Sequence, residues 1–215
     1  MVSLLGTYCN ATADVGFLID ASHNGENYFQ NVKTFVKSLA RHLGISRDRT
    51  HLGVITYGFQ PDLSIRLSDH QDIVSFERAL DALPLVNTTA RIDKALTLAA
   101  HGMFNSVNGA RPGKPRLLVV LTSSAPGVPF ATPGDSPAVI AERMRRDEGV
   151  STVVIGVGGD VDPNDIVEIA GGGDHVFVAA TNEVLSNEYF ANQMKEVVCA
   201  LGSNFFQPFF CVRNY

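Results

Sequence analysis

Positive charge is scarce in this chain. Seventeen Lys and Arg stand against 22 Asp and Glu, a formal charge of −5 over 215 residues. A duplex-binding protein needs a basic footprint, so no nucleic-acid partner is expected. Long apolar runs are missing too. Stretches such as Leu117-Leu118-Val119-Val120-Leu121 fall far short of the ~20 residues that cross a bilayer, so no membrane insertion is expected. The first ten residues carry no basic stretch and too brief an apolar one for a complete secretory signal. A secreted form would take its signal from outside this chain.

Reactive motifs are equally thin. Cys9, Cys199 and Cys211 include no Cys-x-x-Cys, which disfavours a zinc knuckle or a thioredoxin-type site. The six histidines are scattered, with no pair at metal-ligand spacing. No Gly-x-Ser-x-Gly elbow offers a hydrolase nucleophile. Gly156-Val157-Gly158-Gly159-Asp160 follows an apolar run but lacks the full spacing of a dinucleotide fingerprint, and reads as a turn. Gly171-Gly172-Gly173 reads the same way. A Rossmann-like nucleotide-binding enzyme is therefore the least supported alternative, and no catalytic residue is expected.

What is present is a core. The chain is 45% hydrophobic and 18% charged, which excludes disorder and coiled coil and fits one domain. Short apolar runs alternate with stretches of helical period. Val15–Ile19, Leu52–Tyr57, Leu117–Leu121 and Ser151–Val157 read as inner strands buried on both faces. Leu63–Leu67, after a turn at Gln60-Pro61-Asp62, alternates strictly and reads as an antiparallel edge. His175–Val178 reads as a last short strand.

Helices are expected from Tyr28 to Leu43 with Gly44 at the C-cap, over 70–82, over 91–101, from Ala138 to Glu148, after Pro163, and from about Ser186 to Leu201. The order β-α-β-β-α-α-β-α-β-α-β-α predicts an α/β fold. It is an open, doubly wound, mostly parallel sheet with one antiparallel edge strand and helices on both faces. Residues 1–13 form an N-terminal extension, 14–201 the domain, and 202–215 an aromatic tail. In such a sheet ligands bind beyond the carboxyl ends of the strands. The loops that matter begin at Asp20, span Thr88 to Asp93, and begin at Thr122.

Asp20-Ala21-Ser22-His23-Asn24 after Phe17-Leu18-Ile19, Arg91-Ile92-Asp93-Lys94-Ala95-Leu96, Leu118-Val119-Val120-Leu121-Thr122 and Ile155-Gly156-Val157-Gly158 together carry a resemblance. From about Asp14 to Cys199 the chain resembles a von Willebrand factor type A (VWA) domain of the extracellular-matrix type. The resemblance implies a metal-ion-dependent adhesion site, with oxygens around a hard cation and one position left for an acidic ligand residue. Asp20 and Ser22 match its first two positions, and Asn24 stands where the family has a second Ser. Ala90 replaces the Thr, with Thr89 one residue earlier, and Ser123 replaces the second Asp. The site is thus read as degenerate. Asp20, Ser22 and Asn24 are expected to form a hydrogen-bonded loop capping the next helix, and at most weak Mg²⁺ or Ca²⁺ binding is expected, with no other cofactor.

Further expectations accompany it. The family often joins the positions of Cys9 and Cys199 by a disulfide; Cys9–Cys211 is the alternative. Asn10-Ala11-Thr12 and Asn87-Thr88-Thr89 are glycosylation sequons. Asp162 before Pro163 reads as a helix N-cap. Arg143, Arg145 and Arg146 read as a solvated face, or more sharply as a contact for an acidic partner. The resemblance implies a secreted, non-catalytic matrix or adhesion module binding another matrix protein, collagen favoured. The alternative is a structural matrix component that self-associates. Its link would be the tail, with Phe205, Phe206, Phe209 and Phe210 around Pro208, and Cys211 as a covalent contact.

Overall fold

The computed structural model describes residues 12–22, 25–123 and 136–202. Strand β1 (Asp14–Asp20) leads into helix α1 (Gly25–Leu43), followed by β2 (His51–Tyr57) and β3 (Pro61–Ile65). Helices α2 (Ile73–Asp81) and α3 (Ile92–Leu98) precede β4 (Arg116–Thr122). Then come α4 (Pro137–Glu148), β5 (Val150–Val157), α5 (Pro163–Ala170), β6 (Val176–Ala179) and α6 (Glu188–Gly202). The six strands form one sheet in the order β3-β2-β1-β4-β5-β6. All pairings are parallel except β2 with β3. The four expected inner strands are the four inner strands.

Alternation along each strand divides the core in two. Val15, Phe17 and Ile19 with Leu117, Val119 and Leu121 face α1, α2 and α6. Leu18, Leu118 and Val120 face α3, α4 and α5 on the other side. Covering both faces is why these strands are nearly continuous in apolar residues. Gly16 permits a close approach: a side chain there would come within 2.2 Å of the Met103 sulfur.

Several boundaries differ from the sequence expectation, three of them with a clear local cause. The edge strand is Pro61–Ile65 rather than Leu63–Leu67. Pro61 pairs with Tyr57 at the edge, where a missing N–H is tolerated, while the Arg66 N–H turns away to donate to Asp69 Oδ2 at 2.8 Å. Helix α2 starts at Ile73, not 70, because Asp72 is its N-cap and accepts from the Ser75 N–H. Helix α3 ends at Leu98, and a π-helical turn (Ala99–Met103) carries the chain on.

Candidate functional site

The carboxyl ends of the parallel strands open on one edge of the sheet. Asp20 closes β1 there, fully buried. Its Oδ1 accepts the Ser22 N–H at 3.0 Å, and the Ser123 hydroxyl beyond β4 donates to its Oδ2 at a long 3.5 Å. Two buried tyrosines flank the carboxylate. Tyr57, the last residue of β2, donates its hydroxyl to the Leu121 carbonyl at 3.3 Å. The Tyr28 hydroxyl from α1 faces Ser123 but makes no well-formed hydrogen bond. Burial first, and the negative Asp20 second, push both phenols well above the ordinary tyrosine range. Both therefore stay neutral beside the carboxylate.

The second loop brings less oxygen than the family pattern. Ala90 is buried and has no side-chain oxygen, while Thr89 is exposed. Asp93 is held by Arg91, whose Nε donates to Oδ1 at 2.8 Å and whose Nη2 donates to Oδ2. Burial works to raise the Asp93 carboxyl, but the Arg91 bonds and the Lys94 N–H together bring it below its usual value. The Thr88 hydroxyl accepts the Phe59 N–H at 2.9 Å, and Lys94 lies over the half-exposed Phe59 ring, 4.3 Å from its centroid. The Val86 and Asn87 N–H groups both donate to the Ala21 carbonyl, tying this loop to the one that carries Asp20 and Ser22.

A divalent cation takes six or more oxygens, usually with carboxylates among them. Among the described residues, no group of three His, Cys, Asp or Glu converges as a metal site. Asp20, Ser22 and Ser123 are brought together; Ala90 has no side-chain oxygen, Thr89 is exposed, and Asp93 is paired with Arg91. Asn24 lies outside the described residues. The sequence reading missed Tyr28 and Tyr57, taking them as core; the one signal was Tyr where Phe would fill the same space.

Other candidates resolve into structure. Gly158 takes φ 87° and its N–H bonds to the Ala179 carbonyl, so the glycine stretch after β5 is a turn. Asp162 caps α5 by accepting the Asn164 N–H at 2.8 Å. Arg145 is not a solvated residue: its guanidinium donates to the Ile169 carbonyl at the end of α5. Gly171 lies beneath it with φ 79°, where a side chain would be strained and would come within 2.6 Å of that guanidinium. Arg146 is exposed and pairs with Asp147. Asn87 is exposed, with φ 53°. Cys199 is disulfide-bonded. Cys9, Asn10, Cys211 and the tail phenylalanines lie outside the described residues, and so does the pairing expected for Cys199.

The von Willebrand factor type A domain model matches residues 14–191. The chain belongs to this family. It is 30% identical to matrilin-2 of Mus musculus over 185 residues, covering 83% of this chain and 18% of that protein. It is 26% identical to von Willebrand factor A domain-containing protein 2 of Xenopus laevis over 187 residues, covering 86% of this chain and 22% of that protein. The chain thus spans about a fifth of these relatives' length. Among solved structures, proximal thread matrix protein 1 from the mussel byssus superposes with a TM-score of 0.79 at 19% identity, over 89% of this chain and 48% of that one. Another structure of that byssus protein has a zinc-occupied metal-ion-dependent adhesion site; it superposes with a TM-score of 0.77 at 20% identity, over 90% of this chain and 48% of that one. This VWA module is similar to those of extracellular-matrix proteins. No helix among the described residues is long and apolar enough to cross a membrane.

Proposed function

We propose that the chain is a secreted, non-catalytic adhesion module of the extracellular matrix. It binds another matrix protein, with collagen as the favoured partner, through contacts that need no cation. Family membership and likeness to matrilin-2 support the matrix role. The observation that carries cation independence is the capture of Asp93 by Arg91 beside a buried Ala90. A ligand carboxylate can complete a cation's coordination only where the protein supplies the other oxygens, and here the second loop has Ala90 at the Thr position and its carboxylate paired with Arg91. Affinity then comes from surface contacts, not a shared metal.

The test is binding of the purified, secreted chain to immobilised collagen, with and without EDTA. Saturable binding unchanged by EDTA is the expected result. Binding abolished by EDTA and restored by Mg²⁺ would overturn cation independence. Absence of binding would overturn the collagen assignment.

A further inference from the structure

Asn87 sits at an unusual place for an exposed asparagine in a sequon. Among the described residues it is the non-glycine residue with positive φ, a conformation Asn tolerates better than most. Its N–H and that of Val86 are fastened to the Ala21 carbonyl, between Asp20 and Ser22. Asn87 and Thr89, the first and third sequon residues, are exposed, while the Thr88 hydroxyl between them is engaged by Phe59. The sequon is therefore presented outward from a loop that is itself the rim of the crevice.

We propose that Asn87 carries an N-linked glycan and that this sugar stands over the crevice at the carboxyl ends of the strands. The inference rests on the secreted reading above only in requiring passage through a compartment where such transfer occurs. The donor is a polyisoprenyl-pyrophosphate-linked oligosaccharide. The Asn87 carboxamide nitrogen forms a bond to C1 of the first sugar as the C1–oxygen bond breaks. The pyrophosphate leaves with that electron pair, and the amide proton is lost to a base. A bulky, hydrated group there keeps macromolecular ligands off Asp20, Ser22 and the Phe59–Lys94 pair, so partner contacts fall on other faces of the domain.

The experiment uses the full chain secreted from eukaryotic cells, with Asn10→Gln removing the other sequon. Peptide mapping after N-glycosidase treatment in ¹⁸O-water should find residue 87 converted to labelled Asp. Thr89→Ser should retain that conversion, whereas Thr89→Ala and Asn87→Gln should abolish it. Lys94 should react faster with a bulky amine-acylating reagent after the glycan is removed. Lys114, two residues before β4 at the opposite end of the sheet, should be indifferent. Unmodified Asn87 in the secreted protein would overturn the proposal. An occupied Asn87 with no change at Lys94 would overturn the shielding. These readouts are masses and labelling rates, so a failure of collagen binding leaves them standing and is told apart from theirs.

Discussion

Arg111 wraps Asp14 and the carbonyl that precedes it. Its backbone N–H reaches Oδ2 at 2.6 Å, its Nε reaches Oδ1 at 2.8 Å, and its Nη2 reaches the Ala13 carbonyl at 2.9 Å. The Asp14 side chain is fully buried and that of Arg111 is 18% exposed. Removing one partner of such a pair strands the other charge. Arg111→Met should destabilise the fold by about 3 kcal/mol, at the lower end of the range because the backbone N–H remains. Urea unfolding measures it. The double variant Arg111→Met/Asp14→Leu should regain most of the loss, since the cost lies in the stranded carboxylate.

The crevice can be given back its oxygens. Wild-type protein should melt at the same temperature in EDTA and in millimolar Mg²⁺. Ser123→Asp with Ala90→Thr places a second carboxylate and the missing hydroxyl around Asp20, and should make the melting temperature rise with Mg²⁺ concentration. A wild-type protein whose melting temperature already rises with Mg²⁺ would defeat the reading of a degenerate site.

Tyr28 sets an alkaline limit. In the unfolded chain its phenol loses a proton near pH ~10, but burial and Asp20 keep it protonated in the fold. Above that pH the folded state holds more protons than the unfolded one, so stability falls as pH rises. The contribution is fully present below the unfolded value. Tyr28→Phe should flatten the decline between wild type and variant above pH ~10. At neutral pH it should cost little or stabilise slightly, because the hydroxyl it removes is buried without a hydrogen bond. Chemical denaturation across pH 8–11 reads both effects.

The arginine run on α4 contains residues with opposite roles. Arg145→Met leaves the Ile169 carbonyl without its donor and should cost about 1–2 kcal/mol in thermal or urea unfolding. Arg146→Ala, exposed and paired with its neighbour Asp147, should leave the melting temperature unchanged.

The four inner strands were legible because burial on both faces forces continuous apolar runs, as in Leu117–Leu121. The edge strand was legible in kind but displaced. A strand with one ladder is held weakly enough that the Asp69 carboxylate takes Arg66 out of it. The π-helical turn after Leu98 left no trace in the hydrophobic spacing. At the crevice, Asp20 and Ser22 could be placed by motif, and the lack of oxygen at Ala90 could be read directly. The hydroxyls of Tyr28 and Tyr57 could not, since α1 and β2 bring them into the field of Asp20 only when the sheet has formed. Nor could the capture of the α5 carboxyl end by Arg145, which depends on how α4 packs against α5.

The place of β1 has a mechanical consequence. Residue 12 feeds directly into it, and it lies between β2 and β4 with both ladders running parallel over its length. Tension applied to the chain at that end along the strand cannot peel β1 away one bond at a time, as it could an edge strand. It must slide β1 past two neighbours together, loading both ladders in shear at once.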